Sequence, residues 1–135
     1  MLKKGLILAV LSITAACGGG SSNSSKPAGE APIPVGAIMT DYKKDKAATV
    51  AKYNGKTLKV GGYPTMAPMM PATAADDGIL IIQEKGGDTL STMTCWFKKA
   101  DEADFKDIQA NEPVILTGVF EDTISTGLRG CKVVK

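Results

Sequence analysis

The spacing of apolar residues along the chain changes period several times, and each change marks a boundary between elements. Met39, Tyr42, Ala47, Val50 and Ala51, with the stem of Lys46, recur near helical spacing. They predict a helix capped by Thr40 or Asp41, running to about Tyr53 and stopped by Asn54-Gly55. The period then shortens to two. Thr57 to Tyr63 alternates, with Leu58 and Val60 inward and Lys59 outward, which predicts a strand loosened by Gly61-Gly62. Met66 to Gly78 is too rich in Pro and Ala to extend it, and Asp77-Gly78 reads as a turn. Ile79 to Ile82 predicts a wholly apolar strand and Lys85-Gly86-Gly87-Asp88 a second turn. Ser91 to Phe97 alternates again, with Met93, Cys95 and Phe97 on one side and Thr92, Thr94 and Trp96 on the other.

Lys98 to Ile108 sets Ala100, Ala103, Phe105 and Ile108 among charges, the pattern of a short amphipathic helix broken by Asn111. Glu112 to Phe120 is the strongest strand signal, because its proline sits at the opening position, where a missing donor is tolerated. A turn-like Glu121 to Gly127 leads to a last strand, Leu128 to Val134. Upstream, Lys26 to Gly36 carries Pro27, Pro32 and Pro34 and reads as linker, so a single folded domain is expected over residues 37–135.

The first seventeen residues have a different logic. Lys3 and Lys4 precede a short apolar run, Gly5 to Ile13, then Thr14-Ala15-Ala16 and Cys17, followed by a Gly/Ser run to Ser25. The apolar run is too short for a bilayer core of about 30 Å. This leader resembles a bacterial lipoprotein signal. The resemblance implies removal of residues 1–16, long acyl chains such as palmitate on Cys17, and a tether over residues 17–36. An ordinary secretory signal is the alternative. The implied location is the cell envelope, periplasmic or outer surface, with the membrane as a partner through the lipid.

Composition narrows the chemistry. Lys3 and Lys4 leave with the leader, so the 16 basic residues become 14 and balance the 14 acidic ones. A neutral exported domain is a poor nucleic-acid binder, since phosphate neutralisation dominates that affinity. Lysines concentrate between Thr40 and Gly62 and acids between Asp76 and Asp122, which reads as solvated faces rather than a steering patch. The chain has no histidine. Ser-His-Asp and Cys-His catalysis are therefore excluded, and the commonest metal ligand is missing. Cys95 and Cys131 are too few for a closed thiolate zinc site. No enzyme activity, metal or cofactor is expected. Asp76-Asp77 is the nearest approach to a carboxylate pair and reads better as part of a turn.

Helix, three strands, helix, two strands is the element order of an OB-fold, a five-stranded Greek-key barrel with accessory helices. The segments Ala47 to Gly62, Thr94-Cys95-Trp96-Phe97, Glu112 to Gly118 and Leu128-Arg129-Gly130-Cys131 together resemble the tRNA anti-like OB-fold family. Departures are the second glycine at Gly61 and the long Met66 to Gly78 insertion. The resemblance brings no catalytic residues with it. In such a barrel the third and fifth strands pair, which makes Cys95 and Cys131 neighbours. A Cys95–Cys131 disulfide is expected, with two reduced buried thiols as the alternative. Leu128 and Cys131 cannot both face inward on a regular strand, so a bulge is expected at Gly130.

OB barrels bind extended polymers across the second and third strands and under the loops beside them. The candidate ligand-binding residues are accordingly Tyr63, Thr92, Thr94 and Trp96, with Met66, Met69 and Met70 as an adaptable apolar cluster. Trp96 reads either as a stacking platform or as a lid packed on one barrel end against a helix. The expected function is a non-catalytic binding module for an envelope protein, peptide or glycan. The alternative is a single-stranded nucleic-acid-binding domain.

Overall fold

The computed structural model describes residues 31–87 and 91–135. The leader, Cys17 and most of the tether lie outside the described residues, as does Asp88. The elements are β1 (Ile33–Pro34), α1 (Val35–Lys44), α2 (Lys46–Tyr53), β2 (Thr57–Pro64), β3 (Asp77–Gln83), β4 (Met93–Lys98), a 3-10 turn (Lys99–Asp101) running into α3 (Glu102–Phe105), β5 (Val114–Asp122) and β6 (Thr126–Val133). Five strands in the order β2-β3-β4-β6-β5 close into a barrel because β5 also pairs with β2. The OB-like expectation therefore holds: a small closed barrel of mixed pairing with three short helices.

Alternation decides what enters the barrel. Val60, Leu80, Ile82, Met93, Cys95, Phe97, Leu116, Phe120 and Leu128 are all buried, while the residues between them face outward. Each such Leu, Ile or Phe contributes about 1.5–3 kcal/mol by leaving water. Phe105, the last residue of α3, closes the core by stacking on Phe97 with ring centroids 3.9 Å apart.

The predicted leading helix is in fact two. Asp45 is extended (φ −152°, ψ 94°) and its carboxylate accepts from the Ala48 amide, capping α2 while ending α1. The break resets the helical phase, so Thr49 and Tyr53 are buried and the predicted inward residues Ala47 and Ala51 are exposed. The fold also begins before Ala37. Ile33 and Pro34 pair with Val60 and Gly61, and Val35, Ile38 and Met39 bury one face of α1. Prolines that read as linker give β1 and the entry to a helix, where their missing donors cost nothing.

Asp77-Gly78 is the start of β3, not a turn. Gly78 lies opposite Phe97, and a Cβ there would fall 2.2 Å from the Phe97 ring, so the glycine marks a close approach inside the sheet. The helix predicted to Ile108 stops at Phe105. The outer strands shift slightly, leaving residues 123–125 as the β5–β6 turn.

Within the five-stranded ring β4 meets β6 in parallel, through Thr94↔Gly127 and Cys95↔Leu128. Three residues of β6 beyond that seam is Cys131, and the expected bulge is there: Thr117 pairs with Lys132 and Val119 with Arg129, with Gly130 at φ +62°. The extra residue turns both Leu128 and Cys131 inward. Cys95 and Cys131 form the disulfide, with Cα atoms 6.0 Å apart and a sequence separation of 36.

One partly buried carboxylate ties the helices to the barrel. Asp122, at the end of β5, accepts from Tyr42 Oη at 2.9 Å and Thr126 Oγ1 at 3.1 Å, and pairs with Lys46 Nζ at 3.3 Å. Burial pushes its pKa up, but the bonds from Tyr42, Thr126 and Lys46 outweigh burial and hold it below the ordinary 3.8.

Replacing both Cys95 and Cys131 by Ala lowers stability by about 4 kcal/mol, the chain-entropy value for a loop of this length, read by urea denaturation. Alkylation of the folded protein without reductant leaves both cysteines unlabelled. Because the Asp122 pKa is depressed, its stabilising contribution is present above about pH 4 and is lost as pH falls through the folded-state value. The Asp122→Asn variant is therefore less stable at neutral pH, and the gap to wild type narrows below that pH in thermal melts.

Candidate interaction surface on the barrel wall

The outward faces of β3 and β4 form the wall on which OB barrels take extended ligands. Strand register sets the rows on it. Met69 bridges to Ile79, Ile79 lies opposite Trp96, and Ile81 lies opposite Thr94. Since side chains directly opposite on paired strands share a face, Met69, Ile79 and Trp96 form one apolar row across three chain segments. Arg129 extends that row onto β6, where its guanidinium lies over the Trp96 ring, 4.0 Å from the centroid.

Trp96 is fixed from two directions. Its benzo atoms Cζ3 and Cη2 take up the space beside Gly127, lying 2.4 and 3.0 Å from where a Cβ at that position would be. Arg129 covers a face of the ring and is itself held by two acids, through Nε to Glu121 Oε2 at 3.1 Å and Nη1 to Asp77 Oδ2 at 3.3 Å. Asp77 also takes Lys98 Nζ at 2.6 Å. Two cations and two carboxylates thus frame the apolar row and cancel. Cation–π contact adds about 0.5–2 kcal/mol to this arrangement. Trp96 packs on β6, beside Gly127 and under Arg129.

The methionine segment is strapped rather than looped. Thr65 N–H donates to Ile81 O, and Met69 and Ile79 exchange both of their backbone bonds, all at 2.9 Å. The turn itself is made farther on, where Asp76 accepts from the Thr73 amide at 3.0 Å and its hydroxyl at 2.8 Å. Lys99 Nζ donates to Pro71 O at 3.3 Å. Met66, Met69 and Met70 remain 49%, 50% and 41% exposed. Asp76 and Asp77 have separate structural roles, one in the turn and one on the wall.

The wall brings together Met69, Thr94 and Trp96 of the sequence candidates. Thr92 precedes β4 on the same side, half-buried. Tyr63 does not join them. It pairs with Gln83, four residues along β3 from Ile79, or about 13 Å at strand spacing. There Lys85 Nζ lies 5.9 Å from its ring centroid, beside a groove of about 290 Å³ that also involves Gly62 and Glu84. Ile79, Ile81, Asp77, Lys98, Glu121 and Arg129 are wall residues that pattern reading missed. Arg129 and Asp77 are 52 residues apart, and no local period links them. Among the described residues no group of three or more His, Cys, Asp or Glu side chains is placed to hold a metal ion, and no helix is long and apolar enough to cross a membrane.

No protein-family model matches the chain, and no curated protein does. Among solved structures it is similar to one from Klebsiella pneumoniae subsp. pneumoniae MGH 78578, described as a "putative nucleic acid-binding lipoprotein". The two share 20% identity at a TM-score of 0.63, over 78% of this chain and 92% of that one. At that identity the likeness is one of fold: the closed small barrel with its accessory helices is an architecture this chain shares with a solved protein.

Proposed function

We propose that the protein is an acylated lipoprotein of the bacterial envelope whose barrel wall is a non-catalytic docking surface for an extended, apolar-bearing segment of a partner protein. The leader ending in Ala15-Ala16-Cys17 and the Gly/Ser run after it support the anchor, as does the word lipoprotein in the description of the Klebsiella structure. The observation that carries the docking reading is Arg129, locked over Trp96 by Asp77 and Glu121.

That lock argues against the other polymers an OB wall can take. Nucleic-acid and glycan binders offer an open aromatic face, and nucleic-acid binders add cations free to meet phosphate. Here a face of Trp96 is covered, and Arg129 and Lys98 already have carboxylate partners. What remains accessible is Met69 with the half-buried Ile79, Ile81 and Thr94, a surface suited to side chains of an extended peptide. The name given to the Klebsiella protein favours nucleic acid as a second reading, and the same experiment separates the two.

Cys17→Ser moves the protein from the membrane to the soluble fraction on cell fractionation; persistence at the membrane sinks the anchor. Photoreactive groups at Met69 and at Thr94, introduced in cells, capture the same protein, and Ile79→Asp lowers that capture at least tenfold while the circular dichroism stays unchanged. Capture of nothing, or of different proteins from the two positions, overturns the docking reading. Binding of an oligothymidine that falls steeply with salt and is abolished by Arg129→Ala replaces it with the nucleic-acid reading.

A further inference from the structure

The five methionines among the described residues fall into two groups. Met39 and Met93 lie in the core at 5% and 0% exposure. Met66, Met69 and Met70 are half-exposed within five consecutive residues and, with Ile124, are the exposed large apolar side chains among the described residues. We infer that this strap is an oxidant-responsive modification site, where conversion of exposed thioethers to sulfoxides changes the apolar character of the docking wall. The inference rests on the docking reading for its consequence but not for its chemistry.

The chemistry is a two-electron oxidation by hypochlorous acid or a peroxide. With a peroxide the sulfur lone pair attacks oxygen as the O–O bond breaks; with hypochlorous acid it attacks chlorine as the O–Cl bond breaks and hydroxide leaves, and water then displaces chloride from the chlorosulfonium to form the same S=O bond. Sulfur is oxidised by two electrons, and the oxidant leaves as chloride and a proton, or as water or an alcohol. Access decides which methionine reacts, because the oxidant must reach the sulfur. The two remaining sulfur side chains of the barrel, Cys95 and Cys131, are joined and fully buried, so among the described residues the exposed sulfur is that of the strap.

The backbone makes the modification local. Met69 is pinned to Ile79 by two bonds at 2.9 Å, and Lys99 and the Thr73–Asp76 turn hold the segment beyond it. Pro68 and Pro71 flank the Met69-Met70 pair and keep the strap from pairing with a further strand. The oxidised Met69 side chain therefore stays in the row with Ile79 and Trp96, since it lies outside the core. A flexible apolar side chain becomes a polar one at the same place.

The test uses the full mature chain under native conditions. Peptide mapping after limiting hypochlorous acid shows an added oxygen on Met66, Met69 and Met70 at least tenfold sooner than on Met39 or Met93. The wall is read with anilinonaphthalene sulfonate through energy transfer from Trp96, the single tryptophan of the chain. Oxidation weakens dye binding at least fivefold with circular dichroism unchanged, and the triple variant Met66→Leu, Met69→Leu, Met70→Leu keeps its dye binding after the same treatment. Equal oxidation of core and strap methionines, no energy transfer before oxidation, or an equal loss in the triple variant overturns the inference. Failure of in-cell capture with these results intact overturns only the docking reading.

Discussion

The parallel seam between β4 and β6 is the constraint on which the rest of the molecule depends. It is the one parallel pairing within the five-stranded ring, yet its register covers only Thr94↔Gly127 and Cys95↔Leu128. A parallel contact this short supplies few backbone bonds, and the Cys95–Cys131 disulfide crosses between the same two strands. The cross-link restricts the unfolded chain at a pairing whose own ladder is short. Gly130 belongs to the same solution. Its left-handed backbone lets β6 carry an extra residue, without which Cys131 would point to solvent.

The seam also shapes the outer wall. Gly127 leaves room on β6, and the Trp96 side chain of β4 lies in that room. Arg129, two residues on, covers the ring, and its two acidic partners come from β3 and β5. Four strands thus contribute to one small surface whose charges cancel and whose apolar residues stay accessible. Asp122 does the comparable work below, joining Tyr42, Lys46 and Thr126 so that α1 and α2 are fixed to the β5–β6 turn.

Strands were the most legible part of the chain. Alternation sorted the faces of β2 and β4 correctly, because a strand with one face buried writes its register into every second residue. The need for a bulge at Gly130 followed from the parity of Leu128 and Cys131 alone. Glycines and aspartates were read less well, because they serve turns, caps and close approaches alike. Asp77-Gly78 has the composition of a turn, but Phe97 needs the empty space at Gly78, and that need arises 19 residues away. Asp45 looked like one more polar residue within a helix until its side chain is seen capping α2.

By itself, the sequence determined the five barrel strands, the inward side of β2 and β4, the parity that a Cys95–Cys131 bond demands, and the absence of histidine chemistry, since all of these are carried by local period or by composition. Tertiary structure alone decided that Met69 lies against Ile79, that Tyr63 stands apart from Trp96, and that Arg129 meets Asp77 across 52 residues. The physical reason is closure. A strand's pattern states which side is buried, but which strands become neighbours, and at what register, depends on how the whole sheet curls to satisfy its last edge.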